Sequence, residues 1–294
     1  MSLILFSLPA LEAMAGDIRR GCGATAGEYE MRHFPDGETY VRVLSDVAGA
    51  EVAVLWQLHQ PDSTVLPLLM LVNTLKDLGA KRVGLVAPYL AYMRQDKRFH
   101  AGEGISQRYF ARLLSQQVDW LVTVDPHLHR ISALSEVYTI PALAMTAVEP
   151  MAGWIRTHVT NPVVIGPDGE SEQWAASVAK AAGCPCEVLT KERFGDRDVK
   201  VSLPHVDNYR GHTPVLVDDI ISTGKTMIQA AQHLMDAGLS APVCIGVHGI
   251  FAAGAQQEMA AAGLKVVTCD SIADHTNAIA LGPLLARGMK EILQ

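Results

Sequence analysis

The sequence predicts an α/β protein built on two mainly parallel sheets, each flanked by helices. Three observations carry this. Short runs of apolar residues alternate with stretches of helical period along the whole chain. Several of these runs are apolar at successive positions, as strands buried on both faces of a parallel sheet are. The pattern also occurs as two series of similar size, on either side of VYTIPALAMTAVEPM around Pro141 and Pro150. The expected domains are therefore residues 1–141 and 142–281, with no low-complexity linker between them.

Taken in order, LILFSL at the N-terminus reads as a strand, Pro9 as a turn and ALEAMAGDIRR as a helix. The same stretch imitates a secretory leader, with Ala13-Met14-Ala15 as a cleavage site. No Lys or Arg precedes its apolar run, however, and Glu12 stands beside the supposed cut. EVAVLWQL (51–58) is the next strand. STVLPLLMLVNTLKDLGA has helical period and ends at Gly79, a candidate C-cap. RVGLVAPYL (82–90), the amphipathic helix ISQRYFARLLSQQ (105–117) and the strand DWLVTVD (119–125) complete the first series. The second runs NPVVIGP (161–167), a helix through SEQWAASVAKAAG, and CEVLT (186–190). It continues with HTPVLVDDI (212–220), the helix TMIQAAQHLMDAG and VCIGVHGI (243–250).

Composition bounds the function. With 49% hydrophobic and 19% charged residues over 294 positions, a large core is expected. The net charge of -7 and the lack of a basic stripe argue against a nucleic-acid partner. No apolar stretch approaches a membrane span. Five cysteines, only Cys184 and Cys186 close together, suit reduced thiols and a cytoplasmic location better than a disulfide framework or a zinc site.

In open α/β sheets, ligands bind beyond the carboxyl ends of strands. YLAYMRQDK, TVDPHLH, GPDGES and VDDIISTGKT all fall there. STGKT resembles the end of a nucleotide P-loop, but the first glycine of that motif would fall at Asp219, whose carboxylate would oppose phosphate. Read physically, VLVDDIISTGKTM is a buried strand, two acids and a turn opening a helix. A helix N-terminus offers unpaired N–H groups to a phosphate. Ser222, Thr223 and Thr226 add hydroxyl donors, Gly224 lets the backbone approach closely, and Lys225 adds charge or points into water. Asp218 and Asp219 can accept hydrogen bonds from vicinal hydroxyls. Two readings stand at this point: a ribose 5-phosphate site, or an acidic strand end with a Ser/Thr cap.

The acid-acid, Thr-Gly-x-Thr turn resembles the ribose-phosphate motif of the phosphoribosyltransferase fold. FPDGETYVRV (34–43), PYLAYMRQDKRFHAGEGIS (88–106), TVDPHLH (123–129), VIGPDGES (164–171), TKERFGD (190–196) and LGPLLARGMKEIL (281–293) resemble, in order, the signature stretches of the ribose-phosphate diphosphokinase family. The resemblance covers nearly the whole chain. It implies two tandem phosphoribosyltransferase-like domains, an ATP-binding one first and a ribose-5-phosphate-binding one second. A C-terminal helix at about 282–294 would pack back on the first. The implied reaction moves the β,γ-diphosphoryl group of ATP to O1 of ribose 5-phosphate, giving phosphoribosyl diphosphate and AMP, with Mg²⁺.

The resemblance assigns residues as follows. His127 and Asp168 would hold the metal. Lys191 and Arg193 would clamp the transferring group. Phe34 would stack on adenine, Arg94 and Gln95 would contact the nucleotide, and His129 is a further ATP contact. Asp36 and Glu38 would reach the nucleotide of a neighbouring subunit, which implies a homodimer or higher oligomer. Asp218, Asp219, Ser222, Thr223, Gly224, Lys225 and Thr226 would hold ribose 5-phosphate. Asp96, Lys97 and Arg98 read as a solvated turn. The chain departs from the family at three places: Ser222 replaces a common third Asp, Lys225 stands where Gly or Ala is usual, and Glu170 interrupts small residues after Asp168.

Three other readings compete. Asp-x-His-x-His resembles an amidohydrolase metal motif, but too few residues follow it for a barrel of about 250. A non-catalytic relative of the family and a base phosphoribosyltransferase are the remaining alternatives.

Overall fold

The computed structural model describes the backbone of residues 2–167, 169–194, 198–202 and 206–294, and their side chains apart from 170, 190–194, 198–202 and 206. Two compact units emerge: Met1–Thr146 with Leu281–Gln294, and Ala147–Ala280.

The first unit contains β1 (Leu3–Ser7), α1 (Glu12–Cys22), β2 (Thr25–Ala26), β3 (Tyr29–His33), β4 (Thr39–Val43), β5 (Glu51–Leu55), α2 (Pro61–Asp77), β6 (Arg82–Ala87), α3 (Ser106–Gln117), β7 (Trp120–Val124) and β8 (Ala142–Met145). Six strands form a sheet in the order β2-β1-β5-β6-β7-β8, and every pairing in it is parallel. The continuous apolar runs become its centre, and all of β5 and β7 is buried. β8 pairs with β7, so residues 142–146, expected in the second domain, belong to this unit. β3 and β4 form a separate antiparallel hairpin, Tyr29 opposite Val43 through His33 opposite Thr39.

The second unit contains α4 (Val148–His158), β9 (Pro162–Gly166), α5 (Glu172–Ala182), β10 (Cys186–Val188), β11 (Thr190–Phe194), β12 (Asp198–Ser202), β13 (Thr213–Ile221), α6 (Lys225–Asp236), β14 (Val243–Gly249), α7 (Ala255–Ala261), β15 (Lys265–Cys269) and β16 (Asn277–Ile279). Its six-stranded sheet has the order β10-β9-β13-β14-β15-β16, again parallel throughout, beside the antiparallel hairpin β11–β12. Strand for strand, this repeats the first unit. The β3–β4 hairpin corresponds to β11–β12, and the connection after β5 corresponds to that after β13.

The chain ends in α8 (Gly282–Ile292), which returns to the first unit and packs against α1, β7 and β8. A Cβ at Gly21 would lie 2.5 Å from the Cβ of Ala286, so α1 and α8 approach closely only because position 21 lacks a side chain. All five cysteines are free thiols, Cys244 and Cys269 buried and the others half-buried. No helix among the described residues is long and apolar enough to cross a membrane.

Candidate active site

In the second unit, β13 carries the chain from the core into the phosphate-loop candidate. Val215, Leu216 and Val217 are fully buried, while Asp218 and Asp219 at the strand's end are half-buried. The Asp219 N–H donates to the Asp218 carboxylate at 3.0 Å. The turn that follows is strapped to the segment after β14. The N–H of Ile250 donates to the Ile221 carbonyl at 3.0 Å, and that of Ala252 to Ser222 at 3.1 Å. Gly224 caps α6 with φ 71°, in the left-handed region. Gly224 has no side chain with which to cap this helix start, and the Thr223 hydroxyl accepts the Lys225 N–H at a long 3.5 Å. The turn thus presents backbone N–H groups and hydroxyls together, a combination suited to an anion. Thr223, Lys225 and Thr226 are exposed and Ser222 is half-buried.

Gly224 is also constrained by packing. A Cβ there would lie 2.7 Å from Sδ and 2.8 Å from Cγ of buried Met259 on α7. The sequence explains this glycine by backbone approach to phosphate. The structure adds the left-handed φ and the Met259 side chain beneath it.

The equivalent connection in the first unit is a useful contrast. It runs Trp56-Gln57-Leu58-His59-Gln60 into α2, and Gln60 likewise caps its helix in the left-handed region, at φ 53°. The backbone device is shared, but no acid pair precedes the turn. Trp56 and Leu58 are buried, and burial holds the His59 imidazole below its ordinary pKa. Among the described residues, the acid pair followed by a glycine turn occurs at the second unit's connection and not at this one.

The first unit instead gathers the nucleotide candidates. The FPDGE turn joins β3 to β4. Its backbone is closed by Phe34 N–H to Glu38 O at 2.8 Å and Gly37 N–H to Phe34 O at 2.9 Å. One Asp36 oxygen accepts the Glu38 N–H at 3.2 Å, so that carboxylate shapes the turn. Phe34 is 39% exposed. The Arg32 guanidinium lies 4.7 Å from its ring centroid and 4.3 Å from that of Tyr40. Arg32 was not among the sequence candidates. Its cue is strand alternation, which puts residues 32 and 34 on one face, with Tyr40 directly opposite 32.

After β6, the chain buries Leu90, Ala91 and Met93 and then exposes Arg94. The loop beyond is organised by Glu103, whose carboxylate accepts N–H bonds from Phe99 at 2.7 Å and His100 at 3.0 Å. Those bonds, that from His100 first, hold its carboxyl below the usual range. The Gln95 amide reaches the same oxygen at 3.3 Å. Asp96 is not part of a solvated turn. Its side chain is 3% exposed and meets the Arg130 Nη1 at 2.8 and 2.9 Å. Lys97 and Arg98 are exposed, as that reading requires.

After β7, Asp125 adopts φ 33°, a conformation that non-glycine residues rarely take. Leu128 packs on the core, with His127 half-buried and His129 exposed on either side of it. Their rings lie 4.0 Å apart, edge to face.

Asp168, the other metal candidate, lies outside the described residues, as does the Glu170 side chain. Lys191 and Arg193 stand two positions apart on β11, opposite Val201 and Val199, and their side chains are outside the described set. Among the described residues, no three His, Cys, Asp or Glu side chains converge on one point.

Comparison with known proteins agrees with this anatomy. Residues 3–117 match the model of the N-terminal domain of ribose phosphate pyrophosphokinase. Residues 133–285 match that of the phosphoribosyl transferase domain. A ribose-phosphate pyrophosphokinase of Methanothermobacter thermautotrophicus is 36% identical over 265 residues, covering 89% of this chain and 91% of the relative. Its counterpart from Methanopyrus kandleri is 32% identical over 266 residues, covering 90% of each. The crystal structure of phosphoribosylpyrophosphate synthetase from Mycobacterium smegmatis superposes with a TM-score of 0.84 at 26% identity, covering 100% of this chain and 99% of that one.

Proposed function

The chain belongs to the ribose-phosphate pyrophosphokinase family of enzymes, and from that premise we propose that it transfers the diphosphoryl group of ATP to O1 of ribose 5-phosphate, forming 5-phosphoribosyl 1-diphosphate and AMP. The observation that carries the reading is the loop at residues 218–226. It joins two half-buried carboxylates to a hydroxyl-rich helix start whose cap is glycine, and its counterpart in the first unit has only the backbone form. Carboxylates suit the sugar hydroxyls; backbone amides and the hydroxyls of Ser222, Thr223 and Thr226 suit the 5-phosphate.

The nucleotide falls to the first unit. Arg94 supplies a planar cation for phosphate, Gln95 an amide, and Phe34 an exposed ring for the base. His129 is assigned to the nucleotide too. Lys191 and Arg193 are assigned to the transferring group, where fixed cations stabilise charge as it develops. Mg²⁺ is the metal we assign, at His127 and Asp168. Mg²⁺ takes oxygen ligands and keeps waters, so a carboxylate such as that of Asp168, which lies outside the described residues, suits it, and the half-buried His127 would act through a bound water. When bound, the ion would neutralise phosphate charge.

We assign a second copy of the chain as partner, with Asp36 and Glu38 reaching its nucleotide. Leu66 and Met70 on α2 and Tyr109 and Leu113 on α3 support self-association. They are 55, 45, 50 and 36% exposed, beside an apolar groove of about 550 Å³. Free thiols fit a reducing compartment, and we place the enzyme in the cytoplasm.

Substituting Thr223→Ala tests the loop assignment. It is expected to raise KM for ribose 5-phosphate about tenfold, a loss of roughly 1.4 kcal/mol, and to leave KM for ATP nearly unchanged. Equal effects on both substrates would defeat the assignment.

A further inference from the structure

We propose that Arg130 is a positioning residue for nucleotide binding, clamping the segment that carries Arg94 and Gln95 to the segment that carries His127 and His129. The inference rests on the nucleotide assignment above and names a residue which that assignment does not use.

The two segments leave neighbouring strands, β6 and β7, whose pairing ends at Ala87 and Thr123. Beyond those points the ladder no longer holds them together. Asp96 and Arg130 take over that role. They lie 34 positions apart in sequence, yet Arg130 Nη1 stands 2.8 and 2.9 Å from the two Asp96 oxygens. The Asp96 side chain is almost wholly buried, at 3% exposure, while that of Arg130 is 46% exposed. A carboxylate so buried needs its cation, and removing the cation leaves an uncompensated charge. The pair is therefore costly to separate.

Each end of the clamp adjoins an assigned group. Asp96 directly follows Gln95, whose carbonyl accepts the Gln107 N–H of α3 at 3.3 Å. Arg130 directly follows His129 and is followed by Ile131, which packs on the core together with Leu128. The guanidinium also lies 5.8 Å from the ring centroid of Phe99, whose N–H is held by Glu103. Arg130 thus touches the nucleotide segment at two places. Its charge is neutralised by Asp96, which suits it to fixing the loops rather than to binding phosphate.

The contact uses one nitrogen, so a lysine can replace it in part. The test compares Arg130→Met, Arg130→Lys, Asp96→Asn and the Asp96→Asn/Arg130→Met combination in the full chain. Steady-state kinetics and hydrogen–deuterium exchange are the readouts. Arg130→Met is expected to raise KM for ATP about tenfold or more and to change that for ribose 5-phosphate less than about twofold. Arg130→Lys should recover most of the loss. The combined variant should be no worse than the poorer single one, because the charge left unpaired is gone. Exchange should rise in peptides covering 94–104 and 125–131.

Unchanged exchange in those peptides, or equal losses for both substrates, would overturn the clamp. Should the unmutated protein make no AMP from ATP and ribose 5-phosphate, the reaction reading fails. The clamp then stands or falls on exchange alone.

Discussion

Replacing Gly224 with alanine probes the sugar-phosphate loop at its most constrained point. The residue sits at φ 71°, and its Cβ would come within 2.7 Å of Met259 Sδ. An L-residue in the left-handed region costs roughly 1–2 kcal/mol. Forcing a methyl against a fully buried neighbour adds about 1–3 kcal/mol, at the lower end if the flexible methionine yields. The expected loss is therefore about 2–5 kcal/mol in urea-induced unfolding followed by circular dichroism. The start of α6 must shift with it, and KM for ribose 5-phosphate should rise about tenfold or more. A double-mutant cycle separates the two causes. Met259→Ala alone opens a cavity costing about 2–5 kcal/mol, and the new Cβ of Gly224→Ala partly fills it. The combined loss should fall short of the sum by at least about 1 kcal/mol. Stability of Gly224→Ala within about 0.5 kcal/mol of the unmutated chain, or strict additivity, would refute the packing argument.

Other expectations can be checked with the same assays. Lys191→Ala should lower kcat by about 100-fold or more with unfolding unchanged, because a clamp on the transferring group acts in the transition state; an unimpaired rate would remove it from the mechanism. Phe34→Ala should raise KM for ATP several-fold through lost stacking, while KM for ribose 5-phosphate holds. The depressed pKa of Glu103 sets a pH dependence. Its hydrogen bonds stabilise the folded loop fully above the ordinary glutamate value, and this is lost as pH falls through the lower value it takes in the loop. ATP affinity measured by calorimetry should therefore fall in that acid window for the unmutated protein, and less steeply for Glu103→Gln.

The central strands were legible because burial on both faces writes itself as uninterrupted apolar sequence, as in EVAVL and PVLV. The hairpins were not. YEMRH and TYVRV have no fully buried position and lie outside the main sheet, so no apolar run announced them. Short elements such as α7 and β16 give too few residues for a pattern. At the site, the acid pair and the glycine turn could be read locally, because strand end, turn and helix start are contiguous. Asp96 could not. Among RQDKR it looks like one more solvated charge, and only its meeting with Arg130 across 34 positions reveals a buried ion pair. Met259 beneath Gly224 was hidden for the same reason, since its effect on the loop depends on a contact between α7 and the start of α6.

The central claim is tested most directly by phosphorus NMR of the purified chain with ATP, Mg²⁺ and ribose 5-phosphate. The account predicts AMP and a sugar-linked diphosphate in equal amounts, both absent when ribose 5-phosphate is left out. ATP that remains intact, or that yields ADP and a sugar monophosphate, would contradict it.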